Sequence, residues 1–232
     1  MGFCVLCLKS SGRSDFCPSC EKDWASLHWN GMGQLPQRSD PILSSYAYRG
    51  VCRSSILAFK SKGFRRAGSA LVRRVLGQED LSELVRQCQI IMPAPSSLWS
   101  RWHGGLDLAV FLADNLSAEY DRPVQAPPFS LGFRWRKQAL RSRSQRRRVF
   151  SQRQKLYDAS YFRQLVPAHQ RSEPLQVLIV DDVVTTGHTL AGLADVFEAV
   201  NFKFYTLASA LRLSENVGRF GSERPIEKDS SC

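Results

Sequence analysis

The chain has 232 residues, of which 43% are hydrophobic, and this is enough to bury one good core with a small appendage. No apolar run approaches 18 residues and no charged-then-apolar leader opens the chain, so we expect neither a membrane span nor a signal peptide, and we predict a cytoplasmic protein. The formal net charge of +11 favours acidic partners, a group that includes nucleotides, nucleic acids and membrane surfaces.

Two CxxC pairs, separated by nine residues, lie at the start of the chain. Each pair can place two thiolates on one metal ion from a tight turn, and two such turns complete a tetrahedral site. The segment is too short and polar to build a core, so a metal would supply its folding energy. Disulfides are the alternative, which a cytoplasmic location disfavours, and the thioredoxin-like pattern of a redox CxxC is missing. We therefore predict a structural zinc site, with no open coordination position, at Cys4, Cys7, Cys17 and Cys20.

Residues 21–41 contain two tryptophans followed by several glycines and prolines. This composition predicts a short helix that closes the zinc module, and then a linker. We expect the tryptophans to pack the module onto its neighbour. The chain therefore divides into a zinc module with linker at 1–41, a main domain at 42–213 and a frayed polar tail at 214–232.

The main domain is predicted to alternate strands and helices. Leu43 to Tyr48 alternate as in a strand, and a second, apolar strand at 88–92 runs into the proline-stiffened loop 93–97. An open α/β sheet binds its ligands at the carboxyl ends of its strands, so we expect this loop to be a second ligand-binding loop. Helical spacing predicts helices over 51–59, 67–76, 81–87 and 105–116, and further strands are predicted over 121–126 and 202–211.

A basic segment spans about 129–157, where no acidic residue occurs. Such a block repels itself, so we expect it to be mobile until an anion arrives. It could be a solvated basic face, a lid over pyrophosphate, or a track for the phosphate backbone of a nucleic acid. The candidate lid and nucleic-acid residues are Arg141, Arg143, Arg146, Arg147 and Arg148.

The most informative stretch is 177–190. Val177 to Val180 form a short apolar run that suits a buried parallel strand, and apolar residues recur at helical spacing from 190 to 200. Between them lies a turn with hydroxyl donors and a glycine that admits close backbone approach. Free N–H groups at the helix start would attract an anion there. The candidate phosphate ligands are Thr185, Thr186, Gly187, His188 and Thr189.

Asp181 and Asp182 stand between the strand and the turn. They would repel phosphate, so they are better placed for sugar hydroxyls or for the Mg²⁺ that accompanies a pyrophosphate. A site that takes phosphate on one side and hydroxyls or metal on the other implies a phosphorylated sugar. A helix-capping turn with incidental carboxylates is the alternative, but it leaves the adjacent acids unexplained.

This run, VLIVDDVVTTGHTL, resembles the PRPP loop of type I phosphoribosyltransferases. The apolar strand, both acids and the turn all stand at that family's spacing. The resemblance implies that Asp181 and Asp182 hold the ribose 2′- and 3′-hydroxyls. It also implies that the Thr-Thr-Gly turn cradles the 5-phosphate.

The whole chain up to about residue 213 is similar to the ComF family, type I phosphoribosyltransferase-like proteins of competence and DNA uptake with an N-terminal zinc knuckle. The similarity rests on the Cys₄ knuckle, Tyr46-Ala-Tyr48, Lys60 and the Pro93-Ala94-Pro95 loop. It implies an α/β fold with an open, mostly parallel sheet flanked by helices, and a small N-terminal Cys₄ zinc module. It also implies that Lys60 and the backbone around Ala94, Pro95 and Ser96 face pyrophosphate.

The chain departs from the family pattern at one motif. The family's Arg-Gly-Phe-Asn-Gln-Ala run reads Gly104-Gly105-Leu106-Asp107-Leu108-Ala109 here, so only the glycine and alanine are retained. Downstream, Gln145, Arg153 and Phe162 match a family Gln, Arg and Phe with one extra residue. PRPP binding is therefore a safer inference than PRPP turnover.

Three functions remain open. As an enzyme, the chain would displace pyrophosphate from PRPP by a nitrogen nucleophile, with Mg²⁺ on the pyrophosphate and Asp181 and Asp182 fixing the ribose. As a non-catalytic adaptor of the DNA-uptake machinery, it would bind a nucleotide or PRPP, and its basic lid and zinc module would grip single-stranded DNA or a motor protein. A purine or pyrimidine salvage transferase is the third hypothesis, and such enzymes need no zinc knuckle.

Overall fold

The computed structural model describes residues 2–35, 40–95, 106–127, 160–167, 174–195, 197 and 199–211. The elements in these ranges are, in chain order, β1 Gly2–Phe3, β2 Ser10–Gly12, α1 Pro18–Ala25, β3 His28–Gln34, β4 Pro41–Ala47, α2 Gly50–Lys62, α3 Arg65–Val75, α4 Glu79–Arg86, β5 Ile90–Pro93, α5 Leu108–Tyr120, α6 Ser160–Arg163, β6 Leu175–Val184, α7 His188–Ala194 and β7 Val200–Ser209. None of the helices among these residues combines the length and the apolar character that a membrane crossing requires.

The centre of the fold is a five-stranded sheet in the order β3-β4-β7-β6-β5. Strands β4, β7, β6 and β5 are parallel to one another, and β3 pairs with β4 in the antiparallel sense. Strand β5 and the central part of β6, Val177 to Val180, are continuous apolar runs because both of their faces are covered. The prediction of a mixed α/β chain with a mostly parallel sheet flanked by helices, and an N-terminal cysteine cluster, is confirmed at this level.

Successive residues of β6 point to opposite faces of the sheet, and each face has its own core. Leu178 and Val180 belong to the larger core, which contains α1 to α5 and the cysteine module. Val177 and Ile179 belong to a second core with Phe162 and α7. The same alternation decides which way each of the two acidic side chains faces.

The predicted linker before residue 41 is wrong over 28–34, where β3 forms the edge of the sheet. Its glycines and prolines indicated a linker, because glycine weakens a strand that stands alone. Main-chain pairing with β4, for example Met32 opposite Leu43, compensates for the missing side chains. The register shifts between His28 and Gly31, which is the irregularity that a glycine in a strand often marks.

The structure of the stretch at 177–190 differs from the prediction at both ends. Strand β6 continues through both acids to Val184, and α7 ends at Ala194 instead of reaching 200. Val200 instead begins β7 opposite Leu175 of β6, after Ala199 turns the chain with a φ of 57°. The predicted strand at 121–126 reduces to one parallel bridge from Val124 to β5.

Candidate functional site

The sulfur atoms of Cys4, Cys7, Cys17 and Cys20 all lie within 4.8 Å of one another. The Cys4–Cys20 and Cys7–Cys20 separations are 3.8 and 3.9 Å, and Cys7–Cys17 is 3.5 Å. A tetrahedral zinc ion with Zn–S bonds of about 2.3 Å would hold its sulfurs about 3.8 Å apart, whereas a disulfide needs about 2.05 Å. The four cysteines are free and could hold a metal such as zinc.

The backbone around the cluster favours negative sulfur. Burial opposes the Cys4 thiolate, but N–H groups of Cys7, Cys17 and Leu6 outweigh it and lower the pKa of Cys4 to about 6. Burial, followed by the nearby sulfurs, raises the pKa of the Cys20 thiol. A cation at the centre would remove the repulsion between these sulfurs, since a metal binds thiolates and displaces their protons.

The cysteine module shares the larger core of the sheet domain. Trp24 is buried and packs edge-on against Phe16 and Tyr46, with ring centroids 5.6 and 4.7 Å away. The guanidinium of Arg74 from α3 lies over the Phe16 and Trp24 rings and pairs with Glu21. For Trp24, the expectation that a tryptophan packs the module onto its neighbour is confirmed.

A crevice opens where β6 leaves the sheet and the chain turns into α7. It is partly open to solvent. Its lining joins the first acid to the whole predicted phosphate turn: Asp181, Val183, Val184, Thr185, Thr186, Gly187, His188, Thr189 and Leu190. The structure therefore brings six of the predicted site residues together around one cavity.

The turn itself is built for close backbone approach. Gly187 is buried with a φ of 71°, a conformation that glycine adopts without strain. Thr185 and Thr186 are exposed, and Thr189 is half-buried. Helix α7 has only 7 residues, so its dipole adds little, and the turn hydroxyls and N–H groups are the main candidate anion donors.

The two adjacent acids lie on opposite sides of the strand. Asp181 lines the crevice, and its Oδ1 accepts a hydrogen bond from the Asp182 N–H at 2.7 Å. Asp182 points towards α2, where its Oδ2 forms an ion pair with the Lys60 ammonium. The side chains of Asp182 and Lys60 are 11% and 34% exposed, so the carboxylate is largely shielded from water and the lysine is only partly shielded.

The electrostatics of these three residues are linked. Burial raises the pKa of Asp181 well above its usual range, and the neighbouring Asp182 raises it further. For Lys60, burial lowers the pKa, but the carboxylates of Asp182, Asp181 and Asp107 outweigh burial and raise it overall. Both Asp181 and Lys60 therefore hold a proton more tightly than they would at an exposed position.

The structure describes the proline loop after β5 only as far as Pro95. Ala94 is 3% exposed, and its N–H donates to the Val180 carbonyl at 2.7 Å, so this amide is already engaged. Pro95 is half-buried and has no N–H to offer. Ser96 lies outside the described residues.

Sequence reasoning missed the Lys60–Asp182 pair, since nothing in a sequence links two charges 122 residues apart. It also missed the role of Asp107, whose Oδ1 accepts from the N–H groups of Ala109 and Val110 and caps α5. An Asp directly before an apolar helix is a recognisable N-cap signal. Besides Ser96, the predicted residues outside the described part of the chain include Arg141, Arg143, Arg146, Arg147, Arg148, Gln145 and Arg153.

Comparison with known proteins adds no assignment: the chain matches no protein-family model and no curated protein.

Proposed function

We propose that the chain is a ComF-like protein of type I phosphoribosyltransferase character, which binds PRPP with Mg²⁺ in the crevice at 181–189. Its proposed setting is competence and DNA uptake. The observation that carries the proposal is that Asp181 and the turn Thr185–Thr189 line one cavity at the carboxyl edge of a parallel sheet. Ligands of open α/β sheets bind at this edge.

The crevice suits a phosphorylated sugar in one orientation. The 5-phosphate would lie against the N–H and hydroxyl groups of the turn, and the ribose hydroxyls would lie towards Asp181. The carboxyl oxygens of Asp181 can accept hydrogen bonds from ribose hydroxyls in either protonation state, and a bound cation would favour the ionised form. The Asp182–Lys60 pair would hold the strand end in place beside it.

If the chain turns PRPP over, a nitrogen nucleophile displaces pyrophosphate at the ribosyl carbon. The turn would fix the 5-phosphate and so position that carbon. The negative potential of Asp181 and Asp182 would favour the cationic, oxocarbenium-like centre. Bound Mg²⁺ would neutralise the departing pyrophosphate.

The chemistry of the lining fits an ion that arrives with the substrate. Asp181 is the only carboxylate in the lining of the crevice within the described ranges. Mg²⁺ commonly takes one or two protein carboxylates and completes its shell with phosphate oxygens and water. Asp181 would be the protein ligand in such a complex.

Calorimetric titration with PRPP and Mg²⁺ tests the binding proposal. We expect saturable one-to-one binding that is lost in the variant Asp181→Asn with Thr186→Val. Asp114→Asn on the exposed face of α5 is the matched control and should bind as the wild type does. An absence of PRPP binding by the folded wild type would contradict the proposal.

A second candidate is a binding protein without turnover, which would act as a nucleotide- and single-stranded-DNA-binding adaptor. The observation that favours it is that the Ala94 N–H is donated to Val180, so one expected pyrophosphate donor is engaged. Pyrophosphate release in the presence of PRPP and a panel of bases and amines separates the two. Release that Asp181→Asn abolishes supports the enzyme, and binding without release supports the adaptor.

A further inference from the structure

The cysteine cluster contains one residue whose side chain a small molecule in solution can reach. Of the six cysteines in the part of the chain that the structure describes, only Cys7 is exposed. The other five are each at most 9% exposed, both inside and outside the cluster: Cys4, Cys17, Cys20, Cys52 and Cys88. A reagent that attacks thiols should therefore react at Cys7 before it reacts at the other described cysteines.

Cys17 supplies a second sulfur beside Cys7. Their Sγ atoms are 3.5 Å apart, a shorter separation than the 3.9 Å between Cys7 and Cys20. A disulfide needs about 2.05 Å, so the two sulfurs would have to approach each other by about 1.5 Å more. A bond between them would link one CxxC pair to the other.

Metal binding would make the exposed sulfur reactive. The thiolate is the nucleophilic form of cysteine, and a bound metal keeps its cysteine ligands deprotonated. With a metal such as zinc in the cluster, Cys7 would be both ionised and accessible. Cysteines that are oxidised reversibly combine these two properties with a neighbouring cysteine that can form a disulfide.

We propose that Cys7 is a site of reversible oxidation by hydrogen peroxide, and that the product is a Cys7–Cys17 disulfide formed with loss of the metal. The Cys7 thiolate attacks one peroxide oxygen and breaks the O–O bond, which gives a sulfenic acid and releases hydroxide. The Cys17 thiolate then attacks the Cys7 sulfur, and a second hydroxide leaves as the S–S bond forms. The two sulfurs lose two electrons in total, and the peroxide accepts them.

This oxidation would change more than the cluster. Two of the four sulfur ligands would be consumed, and the two that remain do not complete a tetrahedral site. Cys17 is also the N-cap residue of α1, the helix whose Glu21 and Trp24 hold Arg74 of α3. We therefore expect oxidation to loosen the contact between the module and α3 and to lower Tm. No residue of the crevice takes part, so the proposal is independent of the proposed function.

Peptide mapping of the zinc-loaded full chain tests the proposal. The protein is treated with increasing hydrogen peroxide, and zinc release is measured with a chromogenic dye relative to a sample without peroxide. The remaining thiols are then blocked by alkylation before digestion. Trypsin cleaves after Lys9, Arg13 and Lys22, so one CxxC pair lies in peptide 1–9 and the other in peptide 14–22.

We expect the first disulfide to join these two peptides, and fragmentation spectra should place it between Cys7 and Cys17. It should appear together with about one released zinc per chain, as expected of a single four-cysteine site. Reduction with dithiothreitol followed by added zinc should restore the Tm of the untreated protein, because disulfides are reversible products of thiol oxidation.

The variant Cys7→His removes the exposed sulfur but keeps a zinc ligand, since three cysteines and one histidine also form structural zinc sites. We expect peroxide to release its zinc at least about tenfold more slowly than that of the wild type. Cys20→His is the matched variant, because it makes the same replacement at a buried position and keeps both reacting sulfurs. It should release zinc faster than Cys7→His. Cys88→Ser, outside the cluster, should release zinc at the wild-type rate.

A first disulfide that does not include Cys7 would overturn the proposal, and so would oxidation of Cys52 or Cys88 before the cluster. Equal rates of zinc release from Cys7→His and Cys20→His would also overturn it. The peptide map of the wild type remains a sufficient test even where a histidine variant fails to hold zinc.

Discussion

The ammonium of Lys60 contacts the carboxylate of Asp182 across 122 residues of sequence, and this contact ties α2 to the end of β6. Because strand residues alternate between faces, the same strand presents Asp181 to the crevice. The two adjacent acids therefore have different surroundings. Asp181 faces the candidate ligand site, and Asp182 forms the ion pair that links β6 to α2.

Replacing Lys60 by Met should destabilise the protein. Asp182 would remain largely buried without its counter-charge. Removing one partner of a fully buried pair costs about 3–5 kcal/mol, and because Lys60 is 34% exposed we expect a smaller loss, about 1–3 kcal/mol. Urea unfolding monitored by circular dichroism measures the change.

The double variant Lys60→Met with Asp182→Asn should recover part of that loss, with a coupling of at least about 0.5 kcal/mol. Arg86→Met is the matched control, since Arg86 approaches Glu83 only to 3.9 Å at an exposed site. It should change stability by less than about 0.5 kcal/mol. Additive effects of the two single substitutions would mean that the pair contributes nothing to stability.

Asp181→Asn should make the protein more stable above the usual titration range of aspartate. The folded state raises the pKa of Asp181, so it binds a proton more tightly than the unfolded state does. The wild type therefore loses stability as the pH rises from the ordinary aspartate range to the raised pKa, and an uncharged Asn does not. Each kcal/mol that the substitution adds to the free energy of unfolding should raise Tm by about 2–4 °C.

Thermal melts at pH 5 and pH 8 check this prediction. The gain of Asp181→Asn over the wild type should be larger at pH 8, while the exposed control Asp114→Asn should show little change at either pH. Stability gained together with PRPP binding lost is the trade-off expected of a strained functional site. A gain that is larger at pH 5 would contradict the assigned direction of the pKa.

Local signals in the sequence were enough for much of the fold. The spacing of the cysteines predicts their cluster, because a CxxC turn fixes two sulfurs by short-range geometry alone. The apolar runs at Ile90 and Val177 predict buried parallel strands for a similarly local reason. The turn at 185–189 was placed correctly at the carboxyl edge of the sheet, since strand, turn and helix follow one another directly.

Features that depend on distant partners could not be predicted in the same way. The glycines of β3 indicate a loop until β4 is present to pair with them. The apolar spacing from Leu190 to Val200 fits a helix, yet Val200 pairs with β6 as a strand, because short apolar runs satisfy either pattern. The pairing of Lys60 with Asp182 depends on how α2 packs, which no local signal reports.

Removing metal from the cysteine cluster should destabilise the whole described fold, not only the module. Cys4, Cys17, Cys20 and Trp24 share one core with α2 and α3, so the module and the sheet should unfold in a single transition. Structural zinc in small sites binds with apparent energies of about 10 kcal/mol or more, so we expect chelation to lower Tm by at least about 10 °C. A chromogenic chelator should release about one zinc per chain, as expected of one four-cysteine site.

Cys17→Ser should reduce the zinc content well below that of the wild type. Cys88→Ser is the control, because Cys88 is buried in the same core but is not in the cluster, so its replacement should cost stability and leave the zinc content unchanged. Full zinc content in Cys17→Ser, or an unchanged Tm after chelation, would contradict a structural metal at this site.

Gly68→Ala should destabilise the packing of α3 against α2, the helix that carries Lys60. Alanine favours a helix by about 1 kcal/mol over glycine, but its Cβ would lie 2.2 Å from the Phe59 ring, so the buried ring would have to move. We expect the clash to outweigh the gain and to leave a net loss of about 1–2 kcal/mol in urea unfolding. Ser69→Ala, at the next position of the same helix, is the control and should be neutral or slightly stabilising. If Gly68→Ala raised stability, the close packing of the two helices around Phe59 would be wrong.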